Sequence, residues 1–367
     1  MKPVTKTIGI IFGTLRAEYR QLSNRYFGSI ERFEGDAHEI CNQIVERLWE
    51  GDFYRTSLGH FDFFWMRDFG TTAESLVKSG HKKHVLHTLK WAMLNYRRSA
   101  NITTCIDKRG NCFNAPGHAV DTLPWLLHSL VISNYDLSKT EQIFLADQLK
   151  KYCAKYLDTT GHVKPMKFAE MRDAVIYDRS AYAVALIGRM ARCVEILELE
   201  GYPYPPRLYE DELISRYWNG HYFNADRASK AFSAECALFP FFLNVITDKD
   251  MMNRTFDYIQ SSGLNKPFPM LYTKEPHVFR YHWWMTKPWM PRYQETTLWS
   301  WHGVLYLHLL RRYGRPEYEA EKKSFASGMI ENYGTFPEML NADGSWYYAP
   351  IYRGDPGMIW AGLYLDL

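Results

Sequence analysis

The chain has 367 residues with 44 Lys and Arg against 41 Asp and Glu, a formal net charge of +3, which disfavours attachment to nucleic acid by bulk charge. No apolar run approaches the roughly 18 residues of a membrane span, and the stretch Ile8–Phe12 is too short for the core of a secretory signal. Six scattered cysteines with no CxxC pair fit reduced thiols in the cytosol and give little support to a metal site.

Aromatic residues make up 16% of the chain, as 21 Phe, 26 Tyr and 12 Trp. Such an excess fits a large core or a binding surface, because Tyr and Trp combine a flat apolar face with a polar edge. Sugar rings present apolar C–H faces to such a surface, which makes carbohydrate one candidate ligand.

Apolar residues at three- and four-residue spacing predict twelve helices in chain order. They cover Asp36–Glu50, Asp68–Ser79, His81–Arg98, Asp121–Asn134, Ser138–Tyr156 and Ser180–Glu200. The second half carries Leu208–Arg216, Ser233–Thr247, Lys249–Ser262, Thr296–Tyr313, Pro316–Tyr333 and Asp355–Leu367. Ser138 with Glu141 forms a capping-box pattern, and Gly80, Gly201 and Gly314 fall where helices end. Tyr217–Tyr222 reads as a small hairpin around Asn219-Gly220. No repeat of fixed period supports a solenoid. Twelve helices without a dividing linker fit an all-α (α/α)6 barrel over residues 36–367, after an N-terminal extension of residues 1–35. The long loops Gly51–Arg67, Ser99–Val120, Leu157–Arg179, Gly263–Glu295 and Gly334–Gly354 are the expected home of function.

Three of these loops end on chemistry. In Trp65-Met66-Arg67-Asp68, Asp68 either caps a helix or joins Arg67 in holding sugar hydroxyls while Trp65 stacks. Asp121 precedes the apolar segment Leu123–Val131, again as a cap or as a general acid, a role that needs a raised pKa. Glu338 sits between Phe336 and Met339, an apolar setting that is costly for an unpaired carboxylate. The charged run Met171–Arg179, with Asp173 and Asp178, reads first as surface ion pairs. Tyr281–Trp301 holds His282, Trp283, Trp284, Trp289, Tyr293, Gln294, Glu295, Trp299 and Trp301, a density that favours a ligand-lining loop. His81, His84 and His87 lie on one helix face beside Lys82 and Lys83, a solvated pattern more than a metal site. A GxSxG elbow, a P-loop, an HExxH motif and a GxGxxG in strand-to-helix context are all missing from the sequence.

In their order along the chain, these segments resemble the (α/α)6-barrel glycoside hydrolases related to neutral invertases, the glucosidase I-like group and the glucosidase domain of debranching enzymes. Trp65-Met66-Arg67-Asp68-Phe69 is similar to that group's Trp-x-Arg-Asp-Phe segment, which holds the sugar. Val120-Asp121-Thr122 resembles the segment bearing the general acid, and Phe336-Pro337-Glu338 the Trp-Pro-Glu segment bearing the general base, with Phe in place of Trp. Leu298-Trp299-Ser300-Trp301 and Met358–Tyr364 resemble the openings of the last two inner helices. The resemblance implies hydrolysis of an α-linked small glycoside with inversion, by Asp121 and Glu338, and no metal or organic cofactor. Trp65, Arg67, Asp68, Asp173, Tyr293, Gln294, Trp299 and Trp301 would bind the carbohydrate. An epimerase or isomerase on the same toroid would use His118, His282 or His302 instead, and a non-catalytic carbohydrate-binding protein would need no facing carboxyls. Oligomeric state is not legible in the sequence.

Overall fold

Two kinds of helix alternate along the chain. The computed structural model describes residues 19–115, 117–165, 170–282 and 288–367; Ile8–Phe12, Pro116, Trp283 and Trp284 lie outside the described residues. Among the described residues twelve helices build the body: α1 (Ala37–Leu48), α2 (Met66–Leu76), α3 (Lys82–Ser99), α4 (Thr122–Ser133), α5 (Lys139–Tyr156) and α6 (Ala181–Ile196), then α7 (Arg207–Arg216), α8 (Ala234–Phe242), α9 (Lys249–Ser261), α10 (Ser300–Arg312), α11 (Tyr318–Phe325) and α12 (Ala361–Tyr364). Odd-numbered helices bury a stripe. In α1 the buried positions are Ala37, Ile40, Cys41, Ile44, Val45 and Leu48, the spacing of one helical face. Even-numbered helices are buried nearly all round, as in Thr122–Leu130 of α4 and Ser300–Leu310 of α10.

That difference sorts them into two rings. α2 packs on α4, α4 on α6, α6 on α8, α8 on α10, α10 on α12, and α12 returns to α2, so the six buried helices close an inner ring. The amphipathic helices form the outer ring, giving the (α/α)6 toroid. Each inner helix is entered through a long segment: 49–65, 100–121, 157–180, 217–233, 262–299 and 332–360. Return connections such as 134–138, 243–248 and 313–317 are short. Long loops therefore gather at the mouth where the inner helices begin.

Helix starts and stops follow local chemistry. The Asp36 side chain accepts from the His38 and Glu39 amides at 2.9 Å, and the Ser138 amide donates to Glu141 Oε2 at 3.0 Å, each satisfying orphan groups at a helix start. Gly80, with φ of 97°, lies in the wide turn Val77–His81 between α2 and α3, a backbone state that glycine alone adopts cheaply. Where expectation and structure differ, competing backbone bonds explain it. α10 begins at Ser300 rather than Thr296 because Leu298–Trp299 pairs with Met339–Leu340 as a two-stranded ribbon. The expected helix Asp355–Leu367 shrinks to α12, since the Met358 amide donates to Phe336 O at 3.1 Å and the Ile359 amide to Thr56 O at 2.8 Å. α6 and α8 stop early, ahead of left-handed Glu198 and Asn244. α11 gives way to a widened turn over Ala326–Glu331. The expected hairpin is present, with Trp218 bridged to Phe223.

A second small sheet joins β1 (Phe64–Trp65), β2 (Cys105–Ile106) and β3 (Cys112–Phe113), all antiparallel. Residues 19–27 form a further helical segment lying against the loops that enter α2 and α12. Among the described residues no helix is long and apolar enough to cross a membrane.

Candidate active site

Strand β1 runs directly into α2, and its pairing with β2 sets the direction of the helix. The Met66 amide donates to Thr104 O at 3.0 Å, which places Arg67 and Asp68 in the first turn. Asp68 therefore lies inside the helix, and Trp65 holds the cap position without a side-chain bond. Arg67 points to two carboxylates. Its Nε donates to Asp121 Oδ2 at 2.5 Å and its Nη1 reaches Asp173 Oδ1 at 3.4 Å.

Those two carboxylates differ in surroundings. Asp121 does not cap α4; its side chain is 1% exposed, and Oδ2 also accepts from the Tyr182 hydroxyl at 2.9 Å. Tyr182 is itself fixed by the Trp125 indole at 3.2 Å. Asp173 keeps 20% of its side chain open and lines the cavity at the mouth of the ring. Its loop is anchored by Arg172, fully buried, which donates to the Gln294 carbonyl at 2.8 and 2.6 Å and to the Tyr281 hydroxyl at 2.9 Å. The Arg172 guanidinium also packs on the rings of Phe279 and Tyr272. Gln294, at φ of 53°, accepts from the Ala174 amide at 2.8 Å, so its amide oxygen is committed to holding the Asp173 loop.

Glu338 enters beside the ribbon of Leu298–Trp299 and Met339–Leu340. Its amide donates to Asp355 O at 2.8 Å, and the Asp355 amide donates back to Glu338 Oε2 at 2.9 Å. The Tyr352 hydroxyl sits 2.8 Å from both carboxylate oxygens. The base of this loop is thus fixed from three sides.

One small cavity of about 50 Å³ gathers Trp65, Arg67, Asp68, Asp173, Tyr293, Gln294, Trp299, Trp301 and Glu338. Asp121 does not line it, nor does Asp178, which pairs with Arg179 at 3.0 Å. Phe61, Met171, Met358 and Trp360 complete the wall without having been singled out in the sequence. Trp301 and Trp360 stack with centroids 4.6 Å apart. Among the described residues the buried indole nitrogens of Trp65, Trp301 and Trp360 have no hydrogen-bond partner, and all three residues border one cavity. His118 lines a separate groove with Tyr152 and Lys155, and His282 is not on the cavity wall. His302 is buried beneath Trp299 and Tyr272, and burial holds its imidazole well below the usual range.

Burial pushes the three cavity carboxyls up. Asp68 rises to about 7, Asp173 to about 6 with Arg67 opposing, and Glu338 to about 8 with the Asp355 charge adding to burial. Burial works against the Arg67 charge, but Asp121 and Asp173 more than offset it. Among the described residues no three His, Cys, Asp or Glu side chains are grouped to hold a metal ion.

No protein-family model matches the chain, and no curated protein sequence is significantly similar to it. Solved structures do share its fold. A glycosidase variant in complex with glucose superposes with a TM-score of 0.67 at 13% identity, covering 90% of this chain and 95% of that one. The wild-type form of a glycosidase gives 0.65 at 15% identity with the same coverage. The GH63 mannosylglycerate hydrolase from Thermus thermophilus, in complex with Tris and D-glycerate, gives 0.56 at 12% identity, covering 90% and 99%.

Proposed function

We propose that this chain is a glycoside hydrolase that cleaves a small α-linked glycoside with inversion, using Asp173 as general acid and Glu338 as general base. The observation that carries the reading is an aromatic-walled cavity bordered by both carboxyls. The α linkage rests on the resemblance of the sequence segments, and the small substrate on that resemblance and on neighbours of the same fold in complex with glucose or with Tris and D-glycerate. Asp121, which the resemblance makes the acid, is not given that role: it stands behind Arg67, outside the cavity, with Oδ2 committed to Arg67 and Tyr182.

In the reaction, Glu338 takes a proton from a water molecule as its oxygen attacks the anomeric carbon. The bond from that carbon to the leaving oxygen breaks, and Asp173 supplies the proton that the departing alcohol needs. Solvent then returns a proton to Asp173 and removes one from Glu338. Inversion requires the carboxyls roughly 6.5–9.5 Å apart, leaving room for the water. Trp65, Trp301 and Trp360 supply faces for the sugar ring and indole N–H groups for its hydroxyl oxygens. Arg67 and Asp68 offer a donor and an acceptor in the same wall.

The test is proton NMR of the first-formed product from α-D-glucopyranosyl fluoride, α-linked disaccharides and α-glycosides of small hydroxy acids. The β-anomer is expected to appear first. An α-anomer first would overturn inversion, and no turnover of any of these substrates would overturn the assignment.

A further inference from the structure

Glu338 is not held by the toroid alone. The carbonyls of residues 349–351, in the loop between Glu338 and α12, all accept from the N-terminal helical segment. Arg25 Nε donates to Ala349 O at 2.6 Å, the Tyr26 hydroxyl to Pro350 O at 2.7 Å and Gln21 Nε2 to Ile351 O at 3.3 Å. The innermost contact is Asn24. Its Nδ2 donates to Asp355 Oδ1 at 2.8 Å, and its Oδ1 accepts from Arg353 Nη2 at 2.5 Å.

Asp355 is a buried hub. His60 Nδ1 lies 2.8 Å from Oδ1 and 3.1 Å from Asn24 Nδ2, so imidazole, amide and carboxylate meet at one point. Ser57 and the amides of His60 and Phe61 also donate to the carboxylate. Burial opposes the Asp355 charge, but His60 and these donors outweigh it and hold the carboxyl below the usual range. The backbone of the same residue grips Glu338 on both sides, amide to carboxylate and carbonyl to amide. Space around the hub is closed: a Cβ on Gly59 would collide with Asp355 Oδ1.

We propose that residues 19–28 clamp the loop of the general base, with Asn24 as a positioning residue for Glu338 that acts through Asp355. The catalytic half of this statement rests on the role assigned to Glu338 above. Without the Asn24 amide, Asp355 loses a donor and the Arg353 guanidinium keeps only the Gly28 carbonyl, at 2.7 Å, as its tie to the segment. The loop then keeps its fold but not its aim, and a base displaced by a fraction of an ångström activates water poorly.

Two variants of the 367-residue chain test this, Asn24→Ala and Asn24→Asp; the second keeps an acceptor for Arg353 but replaces the donor to Asp355 with a second carboxylate. Hydrogen exchange followed by mass spectrometry is expected to speed up several-fold at residues 336–340 and 353–357 and to stay native in α6. On α-D-glucopyranosyl fluoride, kcat is expected to fall about 10- to 100-fold in both variants with KM within about twofold, because the aromatic walls are untouched. Native exchange and native kcat in both variants, beside an inactive Glu338→Gln, would overturn the clamp and leave the base assignment standing. Faster exchange throughout α6 would also overturn it, by reducing Asn24 to a general stability contact. Full activity in Glu338→Gln would instead sink the base assignment, while exchange still decides whether the loop is clamped.

Discussion

Asp121 and Asp173 flank the same guanidinium and differ in almost everything else. Asp121 makes the shorter contact with Arg67, accepts from Tyr182 and is shut away from the cavity. Asp173 touches Arg67 at 3.4 Å, stays partly open and borders the space where a substrate would sit. A general acid must reach the leaving oxygen, and of the two carboxyls only Asp173 borders the cavity. The first residue shapes the site, and the second faces it.

The largest expected effect separates them by chemistry. Asp173→Asn and Glu338→Gln should each lower kcat/KM for an alkyl or sugar glycoside by about 10²–10⁴-fold. On a glycosyl fluoride, whose leaving group needs no proton, Asp173→Asn should regain most of its activity and Glu338→Gln should not. If Asp121→Asn is the variant rescued by fluoride, the two aspartates have been assigned the wrong way round.

Stability separates them next. Asp121→Asn leaves the Arg67 charge without its main partner, which should cost about 3–5 kcal/mol in denaturant unfolding. Asp173→Asn removes a longer, partly open contact and should cost about 1 kcal/mol or less. Equal losses would mean that Arg67 leans on both.

The pH profile sharpens the pairing of acid and base. With Asp173 raised to about 6 and Glu338 to about 8, the pair holds one proton between those values, two below and none above, and that proton rests mostly on Glu338, so the reactive arrangement with the proton on Asp173 is a minor share of the singly protonated pair. Initial rates on the alkyl or sugar glycoside should therefore rise through about pH 6 and fall through about pH 8, and a flat profile across that window would break the pairing.

The smallest effect concerns Glu338 in the folding equilibrium. Its folded-state pKa lies above the unfolded carboxyl value, so the stability it contributes is complete below about pH 4.5 and is lost as pH rises through about 8. Glu338→Gln, which has no charge to bury, should melt higher than the native chain at pH 8.5 by at least about 2 °C, and match it near pH 4.5. A calorimetric series over this range checks it.

Much of the architecture was legible because burial writes itself into periodicity. The stripe of α1 and the mostly apolar run of α4 are plain in the sequence, and the structure puts the first in the outer ring and the second in the inner one. The site was legible where a motif touches a helix start, as at Arg67 and Asp68. The proposed acid was harder. In sequence, Met171–Arg179 looks like a surface charge run, because spacing does not reveal that Arg172 is buried against Phe279 and Gln294 and leaves Asp173 facing the cavity. The short α12 and the Asp355 hub were hidden for a related reason: their bonds go to Thr56, Ser57 and Asn24, some 300 residues away. The one local sign was the turn-rich run Arg353-Gly354-Asp355-Pro356-Gly357, which marks a loop and not its partner.

The closure of the inner ring has a consequence for how the molecule assembles. α12 must find α2 across most of the chain, as the Ser75 hydroxyl on Asp366 shows at a separation of 291 residues. Closing a loop of that span carries an entropic cost that ordering of the intervening chain reduces, so docking of the final segment is expected late in folding, which pulse-labelling hydrogen exchange during refolding checks. Glu338, Tyr352 and Asp355 all lie on the stretch that delivers α12. Partly folded chains would then hold cavity tryptophans such as Trp65 before they hold the proposed base, and the proposed activity would arrive with the last piece of structure to settle.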